Sequence, residues 1–234
     1  MVTLPTASTA EILADLGFDW LFLDAEHSSL SYGQIQGILQ AVGDKAACVV
    51  RLPAAEEMPV KKVLDLGAAG IIAPQVNSVK HAREIVRFAR YSPEGSRGVG
   101  IGRAHGYGMR FTEYMETAND SVAVLVQAEH VDAVECIESI VQIDGLDGIM
   151  LGPYDLSASM GKMGEINDPE VNGAIDRIHR ACQSAGIAIG YFGVSAQAVR
   201  PYQQKGYNLI LAGVDTLHLG GGARDLLKEL RSIL

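Results

Sequence analysis

A chain of 234 residues that is 48% hydrophobic is long enough to bury one sizeable core, and nothing in its length asks for a second domain. Its 28 acidic residues outweigh 19 basic ones, for a net charge of −9, so there is no basic stripe of the kind that grips nucleic acid, and a small-molecule partner is favoured instead. No apolar run approaches the roughly 20 residues that cross a bilayer, and the opening Met1-Val2-Thr3-Leu4-Pro5 carries no basic, signal-like stretch. Cys48, Cys136 and Cys182 are odd in number and far apart, which reads as reduced thiols in a cytoplasmic protein.

Eight short apolar runs follow one another along the chain, at 2–4, 20–24, 48–51, 70–74, 122–127, 148–152, 187–191 and 209–213. They are continuously apolar, the pattern of parallel strands covered on both faces. Helical periodicity fills the gaps. Ser31-Tyr32-Gly33-Gln34 resembles a capping box; later helices are predicted at about 79–89, 131–141, 171–185, 196–205 and 223–234. Gly17, Gly43, Gly67, Gly186 and Gly206 stand where helices should stop. An eightfold alternation of strand and helix predicts an α/β fold, a single-domain (β/α)8 TIM barrel over 1–234. One connection is long: 91–119 contains Pro93 and six glycines, and is expected as a lid over the strand ends, with a plain surface excursion as the alternative. The first strand begins almost at Met1, which predicts a barrel without a closing plug beneath it.

Barrels build active sites at the C-terminal ends of their strands, and the residues with chemical capacity cluster there. Glu129 and Asp155 end neighbouring strands and together would make a hard-cation site, helix capping being the alternative for Asp155. His27 follows the second strand and suits general-base work, with Asp65 a candidate partner; the alternatives are a structural histidine and an ordinary solvated helix end. Arg51 ends the third strand, where its fork suits a carboxylate or an enolate oxygen, or else a salt bridge in the barrel mouth. Gly98-Val99-Gly100-Ile101-Gly102 is not preceded by a strand, so it is not a dinucleotide fingerprint. Gly220-Gly221-Gly222 is either a phosphate-binding turn or merely a tight one. His105 and His218 are placed to face substrate, and His179 is expected on a helix surface.

The ordered set Leu23-Asp24-Ala25-Glu26-His27, Val50-Arg51-Leu52-Pro53, Leu64-Asp65-Leu66-Gly67, Ser96-Arg97-Gly98-Val99-Gly100, Gln127-Ala128-Glu129 and Gly152-Pro153-Tyr154-Asp155 resembles the HpcH/HpaI aldolase family, across roughly residues 3–220. The resemblance implies metal-dependent class II cleavage of a 4-hydroxy-2-oxo acid to pyruvate and an aldehyde. It implies that Glu129 and Asp155 ligate a divalent ion, Mg²⁺ or Mn²⁺, with Co²⁺ left open. Arg51 would hold the oxygen that becomes the enolate, His27 would be the base with Asp65 its partner, and Asp24 a further site acid. Gln127 would lie near water and substrate. The Gly152-Pro153-Tyr154-Asp155 backbone would cradle the pyruvate carboxylate, and Arg103 would meet the far end of the substrate from the lid. The chain departs from the family pattern at Ala128, His130 and Tyr154, which bears on the choice of aldehyde. A homo-oligomer, hexamer or trimer of dimers, with the last helix exchanged, is implied as well. The alternatives are a CoA-thioester lyase on a related barrel and a non-catalytic binding barrel.

Overall fold

The computed structural model describes residues 1–232, as one ring of strands inside a shell of helices. In chain order the elements are α1 (Ala7–Asp15), β1 (Trp20–Asp24), α2 (Tyr32–Val42), β2 (Ala47–Arg51), α3 (Glu57–Asp65), β3 (Gly70–Ala73), α4 (Val79–Ala89), α5 (Phe111–Ser121), β4 (Ala123–Ala128), α6 (Val131–Glu135), α7 (Ile137–Ile140), β5 (Gly148–Leu151), α8 (Pro153–Ser159), α9 (Pro169–Ala185), β6 (Ala188–Gly193), α10 (Ala196–Gln204), β7 (Leu209–Ala212) and α11 (Asp215–Arg231). The seven strands pair in sequence order, all parallel.

The eighth strand expected at 2–4 is reduced to a single bridge between Val2 and Leu23. It still closes the ring. Val2 N–H donates to Phe22 O at 2.8 Å and Asp24 N–H to Val2 O at 3.1 Å; on the other side the Met1 nitrogen donates to Gly213 O and Asp215 N–H to Met1 O, both at 3.0 Å. The barrel is thus a (β/α) barrel of seven full strands joined by one narrow strip.

Strand alternation sorts side chains into two cores. Leu21, Leu23, Val50, Ile71, Val126, Ile149 and Ile189 point outward beneath the helices. Phe22, Val49, Ile72, Leu125, Met150 and Leu211 point inward and fill the barrel axis. Gly190 leaves the room for Met150: a β-carbon there would collide with the Met150 sulfur. One alternation further along, the inward positions become Asp24, Arg51 and Gln127, so the apolar plug is the floor on which the polar residues stand.

The helix termini follow the predicted signals. Ser31 and Gln34 make the reciprocal capping box of α2, and α4 spans the predicted 79–89. Each of the five stop glycines has positive φ. At Gly186 (φ 72°) the chain turns left-handed while its N–H bonds back to α9, a conformation that a β-carbon disfavours. Two helices differ from expectation. The predicted 131–141 helix breaks at Cys136 (φ −116°, ψ 15°) into α6 and α7. The last helix starts at Asp215, not 223, because the Asp215 carboxylate anchors its first turn, accepting from Thr3 N–H, Leu4 N–H and Thr216 N–H. Gly220-Gly221-Gly222 therefore lies within α11 and is neither a phosphate turn nor a tight turn; the expected helix end at 233–234 lies outside the described residues.

The excursion at 91–119 does not cover the strand ends within this chain. It packs under the opposite rim, where helices end and strands begin. Ala104 N–H donates to Asp65 O at 3.0 Å, and the space beside it is walled by Ala47, Cys48, Ala69 and Val122. Its anchor is aromatic: His105, fully buried, stacks on Phe111 at 5.4 Å and contacts the Tyr91 hydroxyl at 3.2 Å.

A candidate active site at the strand ends

Asp24 and Arg51 are register partners on β1 and β2, and both point into the barrel mouth. Arg51 donates from Nε to one Asp24 oxygen at 2.9 Å and from Nη2 to the other at 2.7 Å, a fork-to-fork pair. Its guanidinium lies 5.3 Å from the Phe22 ring centroid. Burial opposes ionisation of Asp24, which is 2% exposed; Arg51 and the amides of Glu26 and His27 outweigh that and hold its carboxyl below the usual carboxylate range. The salt-bridge alternative for Arg51 is thus realised, and Arg51 lines the mouth as well.

Glu129 follows β4 and is 2% exposed. Gln75 N–H donates to its Oε1 at 2.7 Å and the Gln127 side-chain amide to its Oε2. Gln75 adopts φ 52°, a left-handed value that a non-glycine residue visits at some cost, and in that conformation its amide is aimed at the carboxylate. Gly152 makes the close approach feasible, since a β-carbon there would lie 2.7 Å from Glu129 Cβ and 2.9 Å from Oε2. Burial pushes the Glu129 carboxyl up; the two hydrogen bonds oppose this, and Glu26 and Asp155 add to it.

Asp155 sits in the first turn of α8 and makes no capping bond, so the capping alternative does not apply. It lines a cavity of about 190 Å³ together with His27, Arg51, Gln127, Pro153 and Gly152, closed on the far side by Met150, Phe192 and Leu211. Tyr154 stands at its rim, 62% exposed. Four carboxylates, Asp24, Glu26, Glu129 and Asp155, thus act on one another across this mouth against a single arginine. That excess negative charge, with Glu129 and Asp155 both hard oxygen donors, fits a divalent cation. Among the described residues no group of three or more His, Cys, Asp and Glu side chains is arranged around one point. Two protein carboxylates with the remaining positions left to water and substrate is the open arrangement that a catalytic Mg²⁺ or Mn²⁺ uses.

Other expected residues are elsewhere. Asp65 ends α3 at the opposite rim, where its carboxylate pairs with Arg97 Nη2 at 2.8 Å; within the chain it does not partner His27. Arg103 is also below the barrel, donating to Leu66 O at 2.9 Å and Leu39 O at 3.1 Å, where its charge meets the carbonyl ends of α3 and α2. His130 caps α6, accepting from Asp132 N–H at 3.2 Å. His105 is sealed in the excursion and His218 lines a separate cavity near Trp20. His179 is half-buried and stacks on Tyr207 at 4.8 Å, so it is not a free surface residue.

Two residues escaped the sequence reading. Gln75 left no usable signal, because its contribution is a backbone amide. Glu26 did leave one, since two positions after Asp24 the alternation points it inward again. Its Oε2 lies 3.2 Å from Arg51 Nη1 and 3.6 Å from His27 Nε2.

Residues 2–220 match the family described as HpcH/HpaI aldolase/citrate lyase. A hydroxypyruvate/pyruvate aldolase of Cupriavidus necator is 38% identical over 233 residues, covering 98% of this chain and 86% of its own. A 2-keto-3-deoxy-L-rhamnonate aldolase of Escherichia coli is 38% identical over 215 residues, covering 91% and 80%. The crystal structure of an HpcH/HpaI aldolase/citrate lyase family protein from Burkholderia cenocepacia superposes with a TM-score of 0.94 at 38% identity, over 98% of this chain and 92% of that one.

Proposed function

For a chain that belongs to the HpcH/HpaI aldolase/citrate lyase family, matched over residues 2–220, and is a carbon–carbon lyase, we propose divalent-metal-dependent cleavage of a 4-hydroxy-2-oxo acid to pyruvate and an aldehyde. The observation that carries the reading is one cavity lined by Asp155 and by an arginine held in a two-pronged grip, with the Glu129 carboxylate bonded to the lining Gln127 and packed against the lining Gly152. Relatives named for hydroxypyruvate, pyruvate and a 2-keto-3-deoxy sugar acid support the substrate class.

Glu129 and Asp155 would hold the ion, which supplies Lewis-acid polarisation of the 2-oxo group. Of the five N–H groups of Arg51, two are spent on Asp24 and one faces Glu26, leaving donors for the oxygen on which enolate charge develops. His27, at the cavity edge, takes the proton from the 4-hydroxyl; the C3–C4 bond then breaks, the aldehyde leaves, and protonation of the enolate carbon gives pyruvate. Among the described residues no lysine lines the cavity, consistent with a route that needs no Schiff base. With Arg103 at the other rim, Arg51 is, among the described residues, the one arginine or lysine lining the cavity, which favours aldehydes lacking a second carboxylate. Phe192, Leu211 and Tyr154 offer an apolar wall to the acceptor end.

The assembly reading is a homo-oligomer. Along α11 only Asp215 is buried, while Leu217, Leu219, Leu226, Leu227 and Leu230 are each about half exposed or more, a face suited to a second copy. Three free cysteines agree with a reducing, cytoplasmic setting. Among the described residues no helix is long and apolar enough to cross a membrane.

The test is pyruvate release from a panel of 4-hydroxy-2-oxo acids with neutral and carboxylated aldehyde ends, with EDTA treatment and metal add-back. Release that EDTA stops and Mg²⁺ or Mn²⁺ restores is expected; release indifferent to EDTA, or none from metal-loaded protein, would refute the reading.

A further inference from the structure

Most polar side chains lining the cavity are already committed. Arg51 spends two donors on Asp24 and faces Glu26 with a third. The Gln127 amide donates to Glu129. His27 and Asp155 are the base and a metal ligand of the proposed function. Tyr154 is the exception. It is the second residue of α8, behind a proline that pre-sets the start of the helix, and the helix is seated by Leu156 and Ser157, both 0% exposed. The Tyr154 carbonyl accepts from the Ser157 hydroxyl at 2.7 Å, while its phenol makes no hydrogen bond among the described residues. The residue lines the cavity and is 62% exposed, so a rigid backbone presents a neutral, uncommitted donor where the cavity meets water.

The shape of the cavity decides which end of a substrate reaches that donor. Phe22, Met150 and Leu211 fill the barrel axis beneath. Arg51, Gln127 and Asp155 surround the 2-oxo acid end in the proposed function, so the tail beyond C4 is left the rim, where Tyr154 stands with Phe192. We propose that Tyr154 is the specificity-determining residue for the aldehyde half: its phenol donates to an oxygen on C5, next to the carbon that becomes the aldehyde, so the site prefers α-hydroxyaldehydes to plain alkyl ones. The inference rests on the proposed cleavage reaction. Phe192 and Leu211 pack against the C–H edges of the tail, and the phenol meets its hydroxyl. An anionic tail would enter a mouth in which Asp24, Glu26, Glu129 and Asp155 face a single arginine, whereas a hydroxyl brings no charge. An alkyl tail would displace water from the phenol and return no hydrogen bond. Tyrosine has only two side-chain torsions to order, so little of the gain is lost to entropy.

The experiment compares Mn²⁺-loaded wild type, Tyr154→Phe and Tyr154→Ala, the exposure of the side chain sparing the fold in both variants. Pyruvate release is followed from 4,5-dihydroxy-2-oxohexanoate and 4-hydroxy-2-oxohexanoate, which differ only in the C5 hydroxyl. Binding is measured by calorimetry with 5-methoxy-2-oxopentanoate and 2-oxoheptanoate, a pair of equal length that differs by one oxygen on C5 and, lacking a 4-hydroxyl, cannot be cleaved. Wild type should favour the oxygenated member of each pair. Tyr154→Phe removes one neutral hydrogen bond, so the kcat/KM ratio and the Kd ratio should each fall about two- to tenfold. Tyr154→Ala should fall at least as far. Reading ratios cancels any loss common to both members of a pair. Ratios in Tyr154→Phe that coincide with those of wild type, or a wild type that binds neither inert acid, would overturn the proposal. A wild type that releases no pyruvate, yet binds the methoxy acid with a preference that Tyr154→Phe loses, would sink the proposed function and leave the role of Tyr154 standing.

Discussion

Asp24→Asn removes one charge and almost no volume, and so isolates what the Asp24–Arg51 fork contributes. The pair is buried, with side chains 2% and 11% exposed, and both prongs are short, at 2.9 and 2.7 Å. Breaking a buried ion pair by neutralising one partner costs about 3–5 kcal/mol. Glu26, at 3.2 Å from the same guanidinium, keeps part of the compensation, so the lower end, about 3 kcal/mol, is expected. For a chain of this length that lowers Tm by roughly 6–12 °C. Catalytically, Arg51 loses the grip that aims it, and a misaimed oxyanion donor costs about 10²- to 10³-fold in kcat. The acid side should change as well. Because the Asp24 carboxyl is held below its usual value, the stability it contributes is fully present above about pH 4 and is lost as pH falls through its lower folded value. The Asn variant should therefore show a flatter loss of stability on acidification. Urea denaturation from pH 7 to pH 3, with pyruvate release at pH 7, measures both effects. Unchanged midpoints together with turnover within threefold of wild type would refute the reasoning, because an anchored Arg51 is its premise.

Three further expectations follow from the same geometry. Glu129→Gln should raise the Tm of EDTA-treated protein by a few degrees, because burial already disfavours this carboxylate; it should also abolish the thermal shift expected of wild type with Mn²⁺, about 2.7 kcal/mol at a hundredfold excess over Kd. Gly152→Ala forces a β-carbon to within 2.7 Å of Glu129 Cβ, so calorimetry should find Mn²⁺ binding weakened at least tenfold while the overall fold survives. Arg103→Ala should leave KM for the substrate within about twofold, since the side chain serves the ends of α2 and α3 below the barrel, and should cost about 1–3 kcal/mol in urea through the Leu66 carbonyl it leaves without a partner, Leu39 O still accepting from Gly43 N–H; a large rise in KM would place Arg103 at substrate after all.

Much of the fold was legible because parallel strands buried on both faces cannot be polar, so seven of the eight apolar runs are full strands and their C-terminal ends carry Asp24, Arg51, Gln127 and the following Glu129. Alternation then says which of these point inward. It would have identified Glu26 too, two residues past Asp24, had the strand's period been carried into the turn. The Gly220-Gly221-Gly222 run misled for the opposite reason: glycine lowers helix propensity locally, yet Asp215 and the N-terminal segment nucleate the helix upstream and carry it through.

What the order of residues determined by itself was therefore the kind of chain: a barrel of parallel strands with a constellation of carboxylates and one arginine at the strand ends, each consequence local and periodic. What only the tertiary structure decided was pairing across distance. Whether the 91–119 excursion lies above or below the barrel, whether Asp65 meets His27 or Arg97, and whether Arg103 faces substrate or two helix ends all depend on where segments tens of residues apart come to rest. No spacing encodes that, because a charged side chain will settle on whichever opposite charge or open carbonyl the packed core brings within about 3 Å of it.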